Sequence, residues 1–201
     1  EFYSGCAGRR LTMDEGVYAS EAATGSRNRA IAYMLDSFGA LETSPDAALD
    51  LYYRQCSIRV TTDDLAGIGA TIANGGMNPR TGRTVFSNET AQRLLSVMTT
   101  CGMYDGAGDW VTSVGLPAKS GVGGGILAVL PGQLGIGVYS PRLDGHGNSV
   151  RGVDVCRHLS TDLGLHMFNV TRESRVTIRS VYDLADTPVS AEWGEQERSY
   201  L

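Results

Sequence analysis

From Thr12 to Cys101 apolar residues recur three and four positions apart, the spacing of one face of an α-helix. Thr12-Met-Asp-Glu15 has capping-box spacing and predicts a helix start, which Thr24-Gly-Ser interrupts. Ala30, Ile31, Met34, Leu35 and Phe38 predict a second helix. Ser44-Pro45, a cap followed by a first-turn proline, opens a third through Ala48, Tyr52 and Cys56. Thr62-Asp-Asp starts another, with Leu65, Ile68, Ile72 and Ala73 on one face, and Asn74-Gly-Gly stops it. Ser87 caps a helix whose stripe is Ala91, Leu94, Leu95 and Met98.

The period then shortens. Ile126 to Leu130, the turn Pro131-Gly-Gln, and Leu134, Ile136 and Val138 alternating with small residues predict two antiparallel strands. Asn148-Ser149 begins a helix carrying Val153, Cys156, Leu159 and Leu163, and Arg175-Val-Thr-Ile-Arg reads as a last strand. From about Asp186 the chain turns polar, as a linker or terminal segment does. Helices first, then strands, a helix and another strand predict an α+β fold with an antiparallel sheet.

Composition narrows the function classes. The chain has 201 residues, 42% hydrophobic and 19% charged, which fits one soluble domain or two. A net charge of -5 without a basic stripe argues against nucleic acid as a partner. The longest apolar run, Ile126 to Leu130, falls far short of the ~20 residues of a membrane span. Cys6, Cys56, Cys101 and Cys156 form no CxxC pair, and His146, His158 and His166 have no ligand spacing, so neither a metal nor a cofactor is predicted. Buried free thiols in a reducing compartment are the expectation, hence a cytoplasmic protein.

The candidate chemistry gathers around Lys119, the only lysine beside sixteen arginines. It stands in Val114-Gly-Leu-Pro-Ala-Lys-Ser-Gly-Val-Gly-Gly-Gly-Ile126. Five further motifs accompany it: Ser20-Glu-Ala-Ala-Thr-Gly-Ser-Arg-Asn28, Leu51-Tyr-Tyr-Arg-Gln-Cys-Ser-Ile58, Ala73-Asn-Gly-Gly, Cys101-Gly-Met-Tyr-Asp-Gly-Ala-Gly, and Tyr139-Ser-Pro-Arg-Leu-Asp-Gly-His-Gly-Asn-Ser-Val-Arg-Gly. In this order and nearly this spacing, the stretch from about Leu11 to Phe168 resembles the serine-dependent glutaminase family.

That resemblance implies the fold of β-lactamases and DD-peptidases, a helical region beside an antiparallel sheet. It also implies hydrolysis of L-glutamine to L-glutamate and ammonia through a γ-glutamyl ester on serine. The family's nucleophile is the serine of a Ser-x-x-Lys motif, but Leu116 stands three before the only lysine here, so no such motif exists in the chain. The resemblance therefore places the nucleophile, with the N-terminal portion of the fold, upstream of Glu1. Residues 1–185 are expected to be the C-terminal part of the catalytic domain, inactive alone, with 186–201 a linker or terminal segment.

Residue by residue, the resemblance implies that Glu21 pairs with the substrate's α-ammonium and that Asn28 and Tyr52 hydrogen-bond its carboxylate end. Without it, Glu21 would read as a helix-surface carboxylate and Tyr52 as core, sharing a face with Ala48 and Cys56. Tyr104 is implied in proton transfer around the nucleophile; a phenol's ordinary pKa of about 10 calls for lysine neighbours or a strong hydrogen bond. Val122 is implied through its main-chain N–H, half of an oxyanion hole, with Gly121 and Gly123 leaving its backbone accessible. Lys119, Ser120 and Gly121 are expected to line the pocket, with Lys119 setting its potential rather than serving as the base. Asn148-Ser-Val-Arg-Gly is expected to be structural, as a helix cap. Family members form homodimers or homotetramers. Two alternatives stay open: another acyl-serine hydrolase of the same architecture, and a non-catalytic chain that binds an amino acid.

Overall fold

Strand β2 (Gly125–Leu130) is the axis of the fold, because its side chains are buried on both faces. It lies between β1 (Ala118–Ser120) and β3 (Leu134–Tyr139) in an antiparallel sheet of order β1-β2-β3. Ile126, Ala128 and Leu130 face one layer, where Trp110 of α7 (Ala107–Ser113) and Cys156 of α8 (Val150–Asp162) close over them with Met103, Val114 and Leu116. Leu127 and Val129 face the other, against Ile72 of α5 (Thr62–Ala73) and Met98 of α6 (Asn88–Cys101). The structure, a computed structural model, describes residues 1–170, of which Glu1–Asn169 form one unit.

The alternation of small residues in β3 has a steric purpose. Gly135 and Gly137 pair with Val129 and Leu127, and so point toward α5. A Cβ on Gly135 would lie 2.2 Å from the Ala70 backbone nitrogen, and one on Gly137 would lie 2.3 Å from the Thr62 carbonyl oxygen. Only glycine lets the helix rest on the strand at that distance. Short helix α1 (Phe2–Ala7) ties back to α5, where Thr71 Oγ1 donates to the Cys6 carbonyl at 2.8 Å.

A second cluster binds α2 (Glu15–Thr24), α3 (Ser26–Ser37) and α4 (Pro45–Cys56) around Ala32, Leu49 and Tyr53, with Tyr18 and Ala22 against them. The buried Tyr53 hydroxyl donates to the Gly25 carbonyl at 3.2 Å, fixing the α2–α3 junction against α4.

The α+β expectation holds, and the helices of residues 12–101 and 150–162 form as the pattern predicts, with local corrections. Asp14 caps α2 instead of Thr12, accepting from Val17 N–H at 3.0 Å, because Met13 is held in a bridge with Ile58. A true capping box lies elsewhere, between Thr61 and Asp64 at the start of α5. The stripe expected on α3 is largely solvent-facing: Met34 is 52% and Phe38 78% exposed, and Ala32 is the buried residue. Of the four cysteines expected to be buried, Cys56 and Cys101 are exposed, while Cys6 and Cys156 are buried. Helices α1 and α7 are too short for their pattern to announce them. The strand expected at 175–179 and the segment 186–201 lie outside the described residues.

Candidate active site

Three helices and the edge strand bring the candidate residues together. Glu21 lies on α2, Tyr52 on the last turns of α4, and Lys119 in the middle of β1. Tyr104 begins a 3-10 turn, Tyr104–Gly106, that follows α6. Alternation along β1 turns Ala118 and Ser120 to the core and Lys119 to the open side.

Tyr104 and Lys119 share one hydrogen-bond acceptor. The Tyr104 hydroxyl donates to the Ser120 carbonyl at 3.3 Å, and Lys119 Nζ donates to that same oxygen. The ammonium also stands 4.8 Å from the Tyr104 ring centroid, a cation–π arrangement. Tyr104 holds a left-handed backbone at φ 56, which a bulky residue adopts only where its surroundings enforce it.

The titration behaviour joins the remaining groups to this pair. Burial, then the Cys56 thiol, Glu21 and Tyr104, push the Tyr52 phenol up to about 12. Burial raises the Cys56 thiol, with Glu21 acting in the same sense and Tyr52 and Lys119 against it. Burial likewise raises Tyr104, with Cys56 second, and lowers the Lys119 ammonium. Cys56 is the common neighbour: its thiol acts on Tyr52, Tyr104 and Lys119, and Glu21 acts on Tyr52 and Cys56.

Val122 lies in the turn that joins β1 to β2, 70% exposed. Gly121 N–H bonds the Gly125 carbonyl and Gly124 N–H bonds the Gly121 carbonyl, both at 2.9 Å, which closes the turn. The N–H of Val122 has no acceptor among the described residues. A Cβ built on Gly147 would stand 3.6 Å from the Tyr104 ring and 4.0 Å from Val122 Cγ1, so Val122 and Tyr104 flank the same spot. The Tyr104 phenol, the Lys119 ammonium and the unbonded Val122 N–H thus lie near one another at the end of β1.

Two expected pocket residues behave differently. The Ser120 side chain is 1% exposed on the core face and its Oγ has no partner among the described residues, so it is the carbonyl of Ser120 that meets Tyr104 and Lys119. Asn28, in the first turn of α3, is half-buried and makes no side-chain hydrogen bond among the described residues. It stands outside the contacts that link the other residues. Cys56, not among the expected site residues, lies one helical turn after Tyr52 on the same face of α4. The loop Asp144–Asn148, which ends in the motif expected to be structural, touches Tyr104 through Gly147. The motif Asn148-Ser-Val-Arg-Gly caps α8 as expected, through Ser149, which accepts from Gly152 N–H at 3.0 Å.

Among the described residues no helix is long and apolar enough to cross a membrane. The family model described as Glutaminase matches residues 1–168. Glutaminase 1 of Bradyrhizobium diazoefficiens is 51% identical over 195 residues, 97% of this chain and 32% of that protein. The glutaminase of Microcystis aeruginosa is 51% identical over 175 residues, 87% of this chain and 52% of that protein. A crystal structure of Mglu in its glutamate form superposes with a TM-score of 0.79 at 50% identity, over 84% of this chain and 39% of that one. The probable glutaminase of Bacillus subtilis gives a TM-score of 0.79 at 36% identity, over 83% of this chain and 57% of that one. The chain thus spans a third to about half the length of the curated relatives it matches.

Proposed function

The chain belongs to the glutaminase family, and from that premise we propose that it forms the amino-acid-binding side of an enzyme that hydrolyses L-glutamine to L-glutamate and ammonia. The observation that supports the reading is the contact of Tyr104 with Lys119 beside the unbonded Val122 N–H, with Glu21 and Tyr104 both acting on the Tyr52 phenol. A neighbour solved in a glutamate form supports the substrate class.

Glu21 receives the α-ammonium of glutamine, and Tyr52 donates to its α-carboxylate. The high pKa of the Tyr52 phenol keeps it a neutral donor throughout the physiological range. Asn28 adds a second carboxylate donor, its amide having no competing partner among the described residues. A serine from a Ser-x-x-Lys segment outside these 201 residues attacks the side-chain amide carbon, and Val122 N–H stabilises the resulting oxyanion. The lysine of that segment takes the serine's proton as the bond to carbon forms, and Tyr104 gives its phenol proton to the departing nitrogen and is reprotonated from that lysine. Burial raises the phenol instead of lowering it, which keeps it protonated for this acid role but not for that of a base. Water then cleaves the γ-glutamyl ester by the reverse relay. The Lys119 ammonium, held over the Tyr104 ring and bonded to the Ser120 carbonyl, orients that phenol and biases the pocket toward negative charge.

Residues 1–185 form the C-terminal part of the catalytic domain on this reading, with 186–201 a linker or terminal segment. Four free cysteines favour a reducing, cytoplasmic setting. Assembly is a homodimer or homotetramer, and the exposed stripe of α3 (Ile31, Met34 and Phe38) offers apolar surface for it.

The test is a glutaminase assay on a chain that carries this sequence behind a Ser-x-x-Lys segment. Tyr104→Phe is expected to lower kcat about 10²- to 10⁴-fold, and Glu21→Gln to raise KM about 10- to 100-fold. Normal turnover of glutamine by Glu21→Gln would overturn the binding assignment. Hydrolysis of a β-lactam or ester in preference to glutamine would point to another acyl-serine hydrolase. Glutamine binding without turnover would point to a non-catalytic relative.

A further inference from the structure

The loop Asp144–Asn148 meets the segment Met103–Asp105 residue against residue, in antiparallel order. Asn148 Nδ2 donates to the Met103 carbonyl at 3.4 Å, the Cα of Gly147 faces the Tyr104 ring, and His146 Nδ1 stands 2.8 Å from Asp105 Oδ1. The loop is itself braced. Asp144 Oδ1 accepts from the backbone N–H of His146 and of Asn148, both at 2.9 Å, and Asp144 N–H bonds the Asn148 carbonyl at 2.8 Å.

Between the two outer contacts sits Tyr104, with its positive φ of 56. A non-glycine residue is strained in that region and keeps it only where its surroundings hold it there. Its own side chain anchors it through a single bond of 3.3 Å to the Ser120 carbonyl. Something must hold the backbone on either side, and the loop supplies a grip at 103 and at 105.

We propose that His146, through its ion pair with Asp105, is a positioning residue that holds Tyr104 in its working conformation. This rests on the glutaminase reading for the role of Tyr104, while the grip itself rests on the contacts above. His146 does not touch the substrate opening; it acts on the residue that does.

The charges facing His146 are Asp105 first, then Asp144 on its own loop and Asp109 on α7. All three are acidic, and they raise the imidazole above its ordinary 6.5. The Asp105 carboxyl is lowered in turn, chiefly by the His146 bond. The sign follows: the pair is complete below about pH 6.5 and loses its charge as pH rises through the raised His146 value. Above that value at most a neutral hydrogen bond remains, and the grip at 105 weakens. Both side chains are half or more exposed, His146 at 50% and Asp105 at 79%. An exposed pair of this kind supports a change of about two- to fivefold.

The experiment is steady-state glutamine hydrolysis by a chain carrying this sequence behind a Ser-x-x-Lys segment, between about pH 6 and about pH 8.5. His146→Ala and Asp105→Asn are each expected to lower kcat about two- to fivefold at about pH 6, with KM unchanged and the double variant no worse than either. The gap should close toward about pH 8.5, and His146→Gln, which keeps a neutral hydrogen bond, should fall between wild type and His146→Ala at about pH 6. Unchanged kcat, a loss equal at every pH, or additive losses would overturn the proposal. If the parent chain turns over no glutamine, the function reading fails separately, and the grip is then tested by NMR titration of the same chain. The Tyr104 ring resonances should follow the His146 midpoint in wild type but not in Asp105→Asn. Tyr104 resonances indifferent to His146 ionisation would sink it.

Discussion

Asp64 carries the most buried charge described in this chain, and its replacement by asparagine makes a quantitative test. Its side chain is 0% exposed and accepts four hydrogen bonds. Arg9 Nε and Nη2 approach at 2.5 Å each, Thr61 N–H at 2.7 Å and Thr61 Oγ1 at 2.9 Å. These contacts, Arg9 foremost, hold the carboxyl down from 3.8 to about 2. At 1.36 kcal/mol per pKa unit the difference corresponds to about 2.4 kcal/mol of folding stability near neutrality. The Arg9 side chain is 52% exposed and regains water when its partner is lost, so about 1–2 kcal/mol is the expected cost of Asp64→Asn at pH 7. Because the folded pKa is the lower one, this stability is present above pH 3.8 and drains away as pH falls toward about 2. About half is gone at pH ~3. Urea unfolding of both proteins at pH ~7 and pH ~3 reads it directly, and the gap in stability should shrink by about half. A gap of the same size at both values would mean that the ion pair does not carry the stabilisation. The outcome bears on the site, because Asp64 starts the helix on which β3 rests and closes α1 onto it.

Two further perturbations probe the packing and the opening. Gly135→Ala should destabilise by about 2–3 kcal/mol in the same assay, since its Cβ would meet backbone of α5 at 2.2 Å, and a neutral result would refute the close helix–strand contact. Iodoacetamide should label Cys56 and Cys101 in the folded chain but not Cys6 or Cys156, as mass spectrometry would read. L-glutamate should slow labelling of Cys56 but not of Cys101, and equal protection or none would detach Cys56 from the opening.

The sequence by itself determined most of the element list. Periodicity of 3.6 marks α3 to α6 and α8 because each must lay apolar residues along a stripe, and the Leu-Gly-Ile-Gly-Val alternation of β3 reports a strand with a helix on one side. The candidate roles of Glu21, Tyr52, Tyr104 and Val122 rest instead on the resemblance of their motifs to a family, since periodicity alone makes Glu21 a surface carboxylate and Tyr52 a core residue.

Only the tertiary structure decided which members of those motifs meet. Tyr52 and Tyr53 are adjacent and alike, yet Tyr53 is 4% exposed and braces Gly25, while Tyr52 is 42% exposed. No pattern separates them, because the neighbours that bury one come from α2 and α3. Ser120 reads as a pocket hydroxyl, but strand alternation sends its side chain into the core and leaves its carbonyl to Tyr104 and Lys119. The pairing of His146 with Asp105 spans 41 positions, and that of Arg9 with Asp64 spans 55. Such contacts depend on how the sheet orients the loops around it. Hydrophobic period fixes which face of an element is buried, whereas the partner of a polar side chain is set by the path of the whole chain.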